Sequence, residues 1–313
     1  MIEIVFNLPV LFFLLGVIAV LMGSNLSLPP AMKDMLTMYL MLAIGIKGGR
    51  NLASTDWSLA ALEPILIVTL GSIVVATYLY FLCRRWVGID TAAAIGATYG
   101  SNSTMTFIAA ASFLTALDVP YGAYMIVALV LMETPAIIYS VFLVRRDRSP
   151  SVWEAFRDAL TEGTHLLLIG SLIIGAVSTK LSGNEELLYR FVGGDIFTGA
   201  LCFFLLGMGV KVGQVMRTDL LAQLDARLIA VAFIVPWVNG GATWLLGTAL
   251  GMDTGDLFLT VILMASASYI VAPAILEKTV QRAESGKYLT MSIAVTFPMN
   301  ILLGVPVWWS LIG

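Results

Sequence analysis

Four consecutive small polar residues, Ser101-Asn102-Ser103-Thr104, stand between an apolar lead-in from Ala92 to Ala97 and a mainly apolar lead-out from Met105 to Leu114. Hydroxyl and amide groups ligate cations through oxygen and donate to anions. A stretch long enough to cross a bilayer has no structural need of four of them. Backbone N–H and C=O groups without partners in hydrocarbon cost several kcal/mol each, so such a break is tolerated only where it is buried in protein or lines a cavity. A second polar stretch, Ser266-Ala267-Ser268-Tyr269, precedes Val271-Ala272-Pro273. Glu133, within Met132-Glu133-Thr134-Pro135, is the only carboxylate well inside a predicted span. Intramembrane carboxylates are costly and mark function. This one suits ligation of Na+, since hard cations take oxygen ligands, or proton exchange. Bland alternatives stand beside both: polar residues that satisfy kinked backbones and pack helices closely, and a protonated structural carboxyl.

The elements that must position these residues follow from composition. The 313 residues are 59% hydrophobic and 12% charged, with a mean hydropathy of +0.94. A soluble domain carries about 25% charge, so this is a polytopic membrane protein. Residues 1–8 lack the basic segment of a secretory signal. Cys83 and Cys202 lie in apolar runs, which argues against a disulfide framework. The single histidine, His165, leaves histidine metal sites and Ser-His-Asp chemistry without a residue set, so the chain is not expected to be an enzyme. A net charge of −3 decides little, and no nucleic-acid partner is expected.

At about 20 apolar residues per span, ten spans are predicted. The first five are Leu8–Met22, Met32–Lys47, Ala60–Cys83, the broken Thr91–Leu114, and Ala123–Val144. After the charged stretch Arg145–Thr164 come His165–Thr179, Asp195–Val212, Leu228–Leu250, the interrupted Asp256–Val280, and Tyr288–Leu311. Ten spans put both termini on one side. Four of the seventeen Lys and Arg residues (Lys47, Arg50, Lys180, Arg190) fall in loops on that side and thirteen on the other. Positive residues stay in the cytoplasm, which predicts termini outside and a cytoplasmic central loop. Trp57, Trp86, Trp237, Trp308 and Trp309 suit aromatic belts.

The halves resemble each other at an offset near 164 residues. Gly45-Ile46-Lys47-Gly48-Gly49 falls on Gly209-Val210-Lys211-Val212-Gly213, Ser101–Thr104 on Ala265–Ser268, and Tyr124 on Tyr288. A repeat of five spans forces the second copy to be inverted. The predicted fold is therefore an all-α polytopic membrane protein with a 5+5 inverted repeat and discontinuous fourth and ninth helices. Residues 1–148 form the first repeat, 149–163 a cytoplasmic linker, and 164–313 the second repeat. Inverted repeats with paired broken helices build secondary transporters whose site lies near the midplane. Asn102 and Ser103 are good caps for a helix restarting at Met105, and a second half-helix is predicted to begin near Pro273. Helix N-termini favour an anion and the facing C-termini a cation. The lysines of the two Gly-Lys motifs read either as guards of an anion path or, more simply, as snorkelling residues beside close-packing glycines.

The polar knot with Met105, the Met132–Ala136 stretch and the Ser266–Ala274 stretch together resemble the sodium-dependent bicarbonate transporter family, known from cyanobacterial carbon concentration. The resemblance covers essentially the whole chain. It implies a bacterial inner-membrane protein with a gate domain from spans 1, 2, 6 and 7 and a core domain from spans 3–5 and 8–10. It also implies a homotrimer, an elevator-like motion, and bicarbonate with Na+ at the crossing of the broken helices. Carried residue by residue, Ser101, Asn102, Ser103, Thr104, Glu133, Ser266, Ser268 and Tyr269 form the substrate and ion site, with Na+ near Ser103, Thr104, Glu133 and Ser268. The family's aspartate in the ninth span is replaced by Tyr269 and a serine by Val271, which removes a negative charge where cation and anion would meet. The family's long linker is short here, so control by a PII-like soluble partner is not assumed. Two other readings remain: transport of another small anion such as a monocarboxylate, proton-coupled or uncoupled, and a non-transporting membrane receptor or scaffold.

Overall fold

The computed structural model describes residues 8–53, 59–144, 157, 161, 163–181, 190, 192–217 and 224–313. The basic cluster Arg145, Arg146 and Arg148, nearly all of the 149–163 linker, and Trp57 lie outside them. Every regular element among the described residues is helical. We number them α1 (Leu8–Leu21), α2 (Pro30–Leu52), α3 (Leu59–Val87), α4 (Ile89–Gly100), α5 (Thr104–Ala116), α6 (Tyr124–Val144), α7 (Gly163–Leu181), α8 (Gly194–Arg217), α9 (Ala226–Leu250), α10 (Thr254–Met264), α11 (Val271–Thr279) and α12 (Ser285–Ile312).

Five of these helices are long and apolar enough to cross a bilayer: most of α3 (Ala61–Val87), together with α6, α8, α9 and α12. Shorter apolar helices accompany them: α1, most of α7 (Leu166–Thr179), and α10. At 1.5 Å per residue, the 12 residues of α4 and the 13 of α5 each cover under 20 Å. Neither reaches across hydrocarbon about 30 Å thick alone, whereas end to end they do. The same holds for the 11 residues of α10 and the 9 of α11. The two interruptions therefore divide stretches that are long enough to cross only when taken whole.

Packing intermixes the two halves of the chain. α1 lies against α8 and α2 against α7, and the two pairs meet through α2 and α8. Glycines set both crossings. A Cβ on Gly209 of α8 would stand 2.0 Å from the Phe13 carbonyl oxygen of α1, and one on Gly16 2.3 Å from that of Leu206. In the other pair, a Cβ on Gly49 would be 1.9 Å from the Leu172 oxygen and one on Gly175 2.3 Å from that of Ile46. The glycines of the two Gly-Lys motifs thus act as backbone-to-backbone contacts, the small-residue packing that membrane helices use where burial alone supplies no drive.

The remaining helices form two similar groups, α3 with α4 and α6, and α9 with α10 and α12. They join through α10, which packs on α3, α5 and α6. Within α12, π-helical turns at Met291–Thr296 and Asn300–Gly304 flank Phe297-Pro298-Met299. Trp308 is buried, its ring 5.5 Å from that of Trp237 and against Gly240. It serves the α9–α12 contact rather than an aromatic belt.

Candidate functional site

α4 ends because Ser101 turns extended, with φ −90° and ψ 177°. α5 begins because Ser103, also extended, caps it. The Ser103 hydroxyl accepts from the Thr106 amide at 3.2 Å and pairs with the Thr106 hydroxyl at 2.8 Å. A serine N-cap of this kind stabilises a helix by about 1 kcal/mol. The helix restarts at Thr104, one residue before the predicted Met105. In the second half, α10 ends at Met264, and the Ser268 hydroxyl accepts from the Ala272 amide at 3.1 Å in the first turn of α11. That helix starts at Val271, two residues before Pro273.

The two interruptions are bonded to each other. The Ser103 amide donates to the Ser266 hydroxyl at 2.9 Å, and Ser266 in turn donates to the Leu263 carbonyl at 2.9 Å. The Ser268 amide donates to the Thr98 carbonyl at 2.8 Å. Each break is also anchored to the helix behind it. Asn102 Nδ2 donates to the Leu129 carbonyl of α6 at 2.8 Å, and Asn300 Nδ2 of α12 donates to the Ala265 carbonyl at 2.8 Å. The relation is reciprocal: in the first half the break supplies the amide, and in the second half the break supplies the carbonyl.

These ties fix the amides but leave oxygens without partners. Thr98 Oγ1, Ser101 Oγ, Asn102 Oδ1 and Asn300 Oδ1 are buried and have no hydrogen-bond partner in the protein. Ser101 is 0% exposed and Asn102 1%. A buried polar atom left unpaired costs about 1–3 kcal/mol, so each of these oxygens calls for a bound water, ion or ligand or a functional reason for its burial. The oxygen-rich set of Ser101 and Asn102 fits a hard cation. The first turns of α5 and α11, with outward N–H groups and positive dipole ends, fit an anion.

Of the residues picked from sequence, Ser101, Asn102, Ser103, Thr104, Ser266 and Ser268 all fall in or beside this crossing and are buried. Tyr269 lies there too, near Ser103, its ring edge-on to Phe297 at 5.2 Å. Phe297 stands edge-on to Phe13 of α1 at 5.8 Å, so the crossing touches the α1–α8 pair through an aromatic stack. Glu133 is 2% exposed on α6, one turn beyond the Leu129 carbonyl that holds Asn102. The rise over those four residues is about 6 Å. Residues 9–313 match the Na+-dependent bicarbonate transporter superfamily. The chain belongs to this superfamily. No single curated protein matches it significantly. Membership makes it a membrane transporter and not an enzyme.

Sequence reasoning missed several residues of this transporter. Thr98 and Asn300 carry unpartnered oxygens at the site. Tyr99, fully buried, bonds the Thr296 hydroxyl at 2.8 Å, which also reaches the Ala232 carbonyl at 2.8 Å. Asp256 looks from sequence like a residue at a span's edge, yet it is 4% exposed. Its carboxylate accepts from the Gly122 amide at 2.6 Å and from the Tyr124 hydroxyl. The loop before α6 is thereby clamped to the first turn of α10. The opposite clamp also exists: the Glu284 amide, in the loop before α12, donates to the Thr91 hydroxyl in the first turn of α4 at 3.1 Å. The sequence signal for Asn300 is plain in retrospect, an amide in an apolar helix. The clamps had no such signal.

A vestibule of about 850 Å³ opens beside the crossing. One wall comes from α1, α2 and α8, the other from α5, the 117–121 loop and α12. Ala109 is its nearest approach along α5, five residues or about 7.5 Å of helix rise from Thr104. None of the crossing residues lines it.

Proposed function

We propose that the protein is a secondary active transporter that moves bicarbonate or a similarly small anion together with Na+. The observation that carries this reading is the bonded pair of helix breaks with unpartnered buried oxygens beside two half-helix N-termini. In it the anion lies at the first turns of α5 and α11, held by Ser103, Thr104, Ser266 and Ser268. Na+ lies with Ser101, Asn102 and the Ser103–Thr104 backbone, with Glu133 tuning or ligating it from α6. The chain has ten spans in a 5+5 inverted repeat. Support comes from the exchange of partners between halves, in which span 1 pairs with span 7 as span 6 pairs with span 2, and from the matched loop clamps.

In the same reading α1, α2, α7 and α8 form a gate and the other eight helical pieces a core. The core slides in an elevator-like motion, a two-state displacement of one packed body past another, within a homotrimer in the bacterial inner membrane, both termini outside. The test is uptake of radiolabelled bicarbonate by proteoliposomes with and without an inward Na+ gradient. Equal uptake in both would remove Na+ from the mechanism.

A second reading rests on Tyr269. A buried phenol stacked on Phe297 offers a hydrogen bond without charge, which suits a small monocarboxylate carried with protons or alone. A ligand that binds the folded state raises its melting temperature. Stabilisation by formate or acetate but not by bicarbonate would select this reading.

A further inference from the structure

We propose that Lys47 forms an anion-capture site in the vestibule, which takes the substrate anion before it reaches the crossing of the helix breaks. The inference rests on the anion-transport reading and adds to it a first binding step on the opposite wall.

Lys47 is half-buried near the end of α2, and its ammonium stands 4.0 Å from the centre of the Phe197 ring of α8. No carboxylate pairs with it among the described residues. The other charged groups of the cavity, Arg50, Asp118 and Asp195, are exposed at its rim, where water and salt weaken them. Lys47 is set deeper. A cation held off water and against a ring face keeps most of its field, so an entering anion gains a charge-assisted contact that the rim cannot give. Across the cavity, Ser112 on α5 presents a half-buried hydroxyl on the same helix whose first turn meets the substrate. An anion between Lys47 and Ser112 therefore bridges the two walls and lies along α5 from its destination. The repeat mate, Lys211, is exposed and outside the vestibule, near Lys33 instead. The capture site belongs to one side of the membrane only.

Two measurements test this. In bicarbonate uptake, Lys47→Gln raises KM by roughly 10–100-fold, the range of one hydrogen bond to a charged group, with the change carried by KM, and Lys47→Arg stays near wild type. In the detergent-purified wild type, bicarbonate slows acylation of Lys47 by a water-soluble amine-reactive ester, followed by peptide mass spectrometry at constant ionic strength. Acylation of Lys287, which is paired with Glu284 at 2.7 Å, is the internal reference and does not respond. An unchanged KM in Lys47→Gln, or a lysine-to-arginine variant as impaired as lysine-to-glutamine, overturns the inference and leaves the transport reading standing. Protection by formate or acetate but not bicarbonate upholds the site and removes bicarbonate as its occupant. Protection by none of these anions overturns the site.

Discussion

The amide of Ser103 donates to the hydroxyl of Ser266 across 163 residues of chain, at 2.9 Å. Two serines from opposite halves thus hold the breaks of two helices in register. Ser266→Ala removes the acceptor and leaves a buried N–H unpaired, at about 1–3 kcal/mol. The expected result is a lower melting temperature in detergent together with a loss of uptake. A variant that melts like wild type would show that the bond does not hold the crossing.

Asn102 combines one good bond with one unpartnered oxygen. Asn102→Leu loses the tie to Leu129 but also removes the cost of burying Oδ1, and it keeps the number and branching of side-chain heavy atoms. Its stability is expected within about 1 kcal/mol of wild type, because the two effects oppose. If that oxygen ligates the ion as proposed, transport is expected to fall more than tenfold. A thermal melt and an uptake assay on one preparation separate the two.

The glycine crossings predict a position-dependent outcome. Gly209→Ala places a methyl 2.0 Å from the Phe13 oxygen, so α1 and α8 must part and little folded protein is expected. Gly170→Ala on α7, where a methyl meets nothing within 4 Å, is expected to be neutral or stabilising by about 0.5–1 kcal/mol. The fraction of monodisperse protein after solubilisation reports both.

Asp256 accepts from Gly122 and Tyr124 with its two oxygens. Asp256→Ala removes both acceptor oxygens and leaves the Gly122 amide and the Tyr124 hydroxyl without them. Faster hydrogen exchange is expected at the Gly122 amide. A double-mutant cycle with Tyr124→Phe is expected to give a coupling of about 0.5–3 kcal/mol. No coupling would mean that the clamp is incidental.

Residues that contradict their surroundings were the ones the sequence revealed. Serines and an asparagine in mid-span, and a glutamate in an apolar helix, are legible because hydrocarbon gives them no reason to be there. The offset of 164 residues aligns Ser103 with Ala267, and the partner that Ser103 bonds, Ser266, is the neighbouring residue. Asp256 was not legible as a clamp, and Lys47 was legible only as one of two readings, a guard of an anion path or a snorkelling residue. Each sits at a helix end, where a charge is ordinary, and only the approach of α8 to α2 and of the 117–123 loop to α10 gives them their neighbours. Asn300 escaped notice because its meaning depends on which carbonyl it meets.

The intermixing of the two halves bears on how the molecule comes into being. α1 and α2 each find their close partner only in the second half, and the first break finds its bonded mate there too. A ribosome that has delivered the first half has therefore made helices whose polar breaks and glycine faces still lack their complements. Completion waits for the helices of the second half. Two half-chains, 1–148 and 149–313, made separately in one cell are expected to assemble into a working transporter, while neither persists alone.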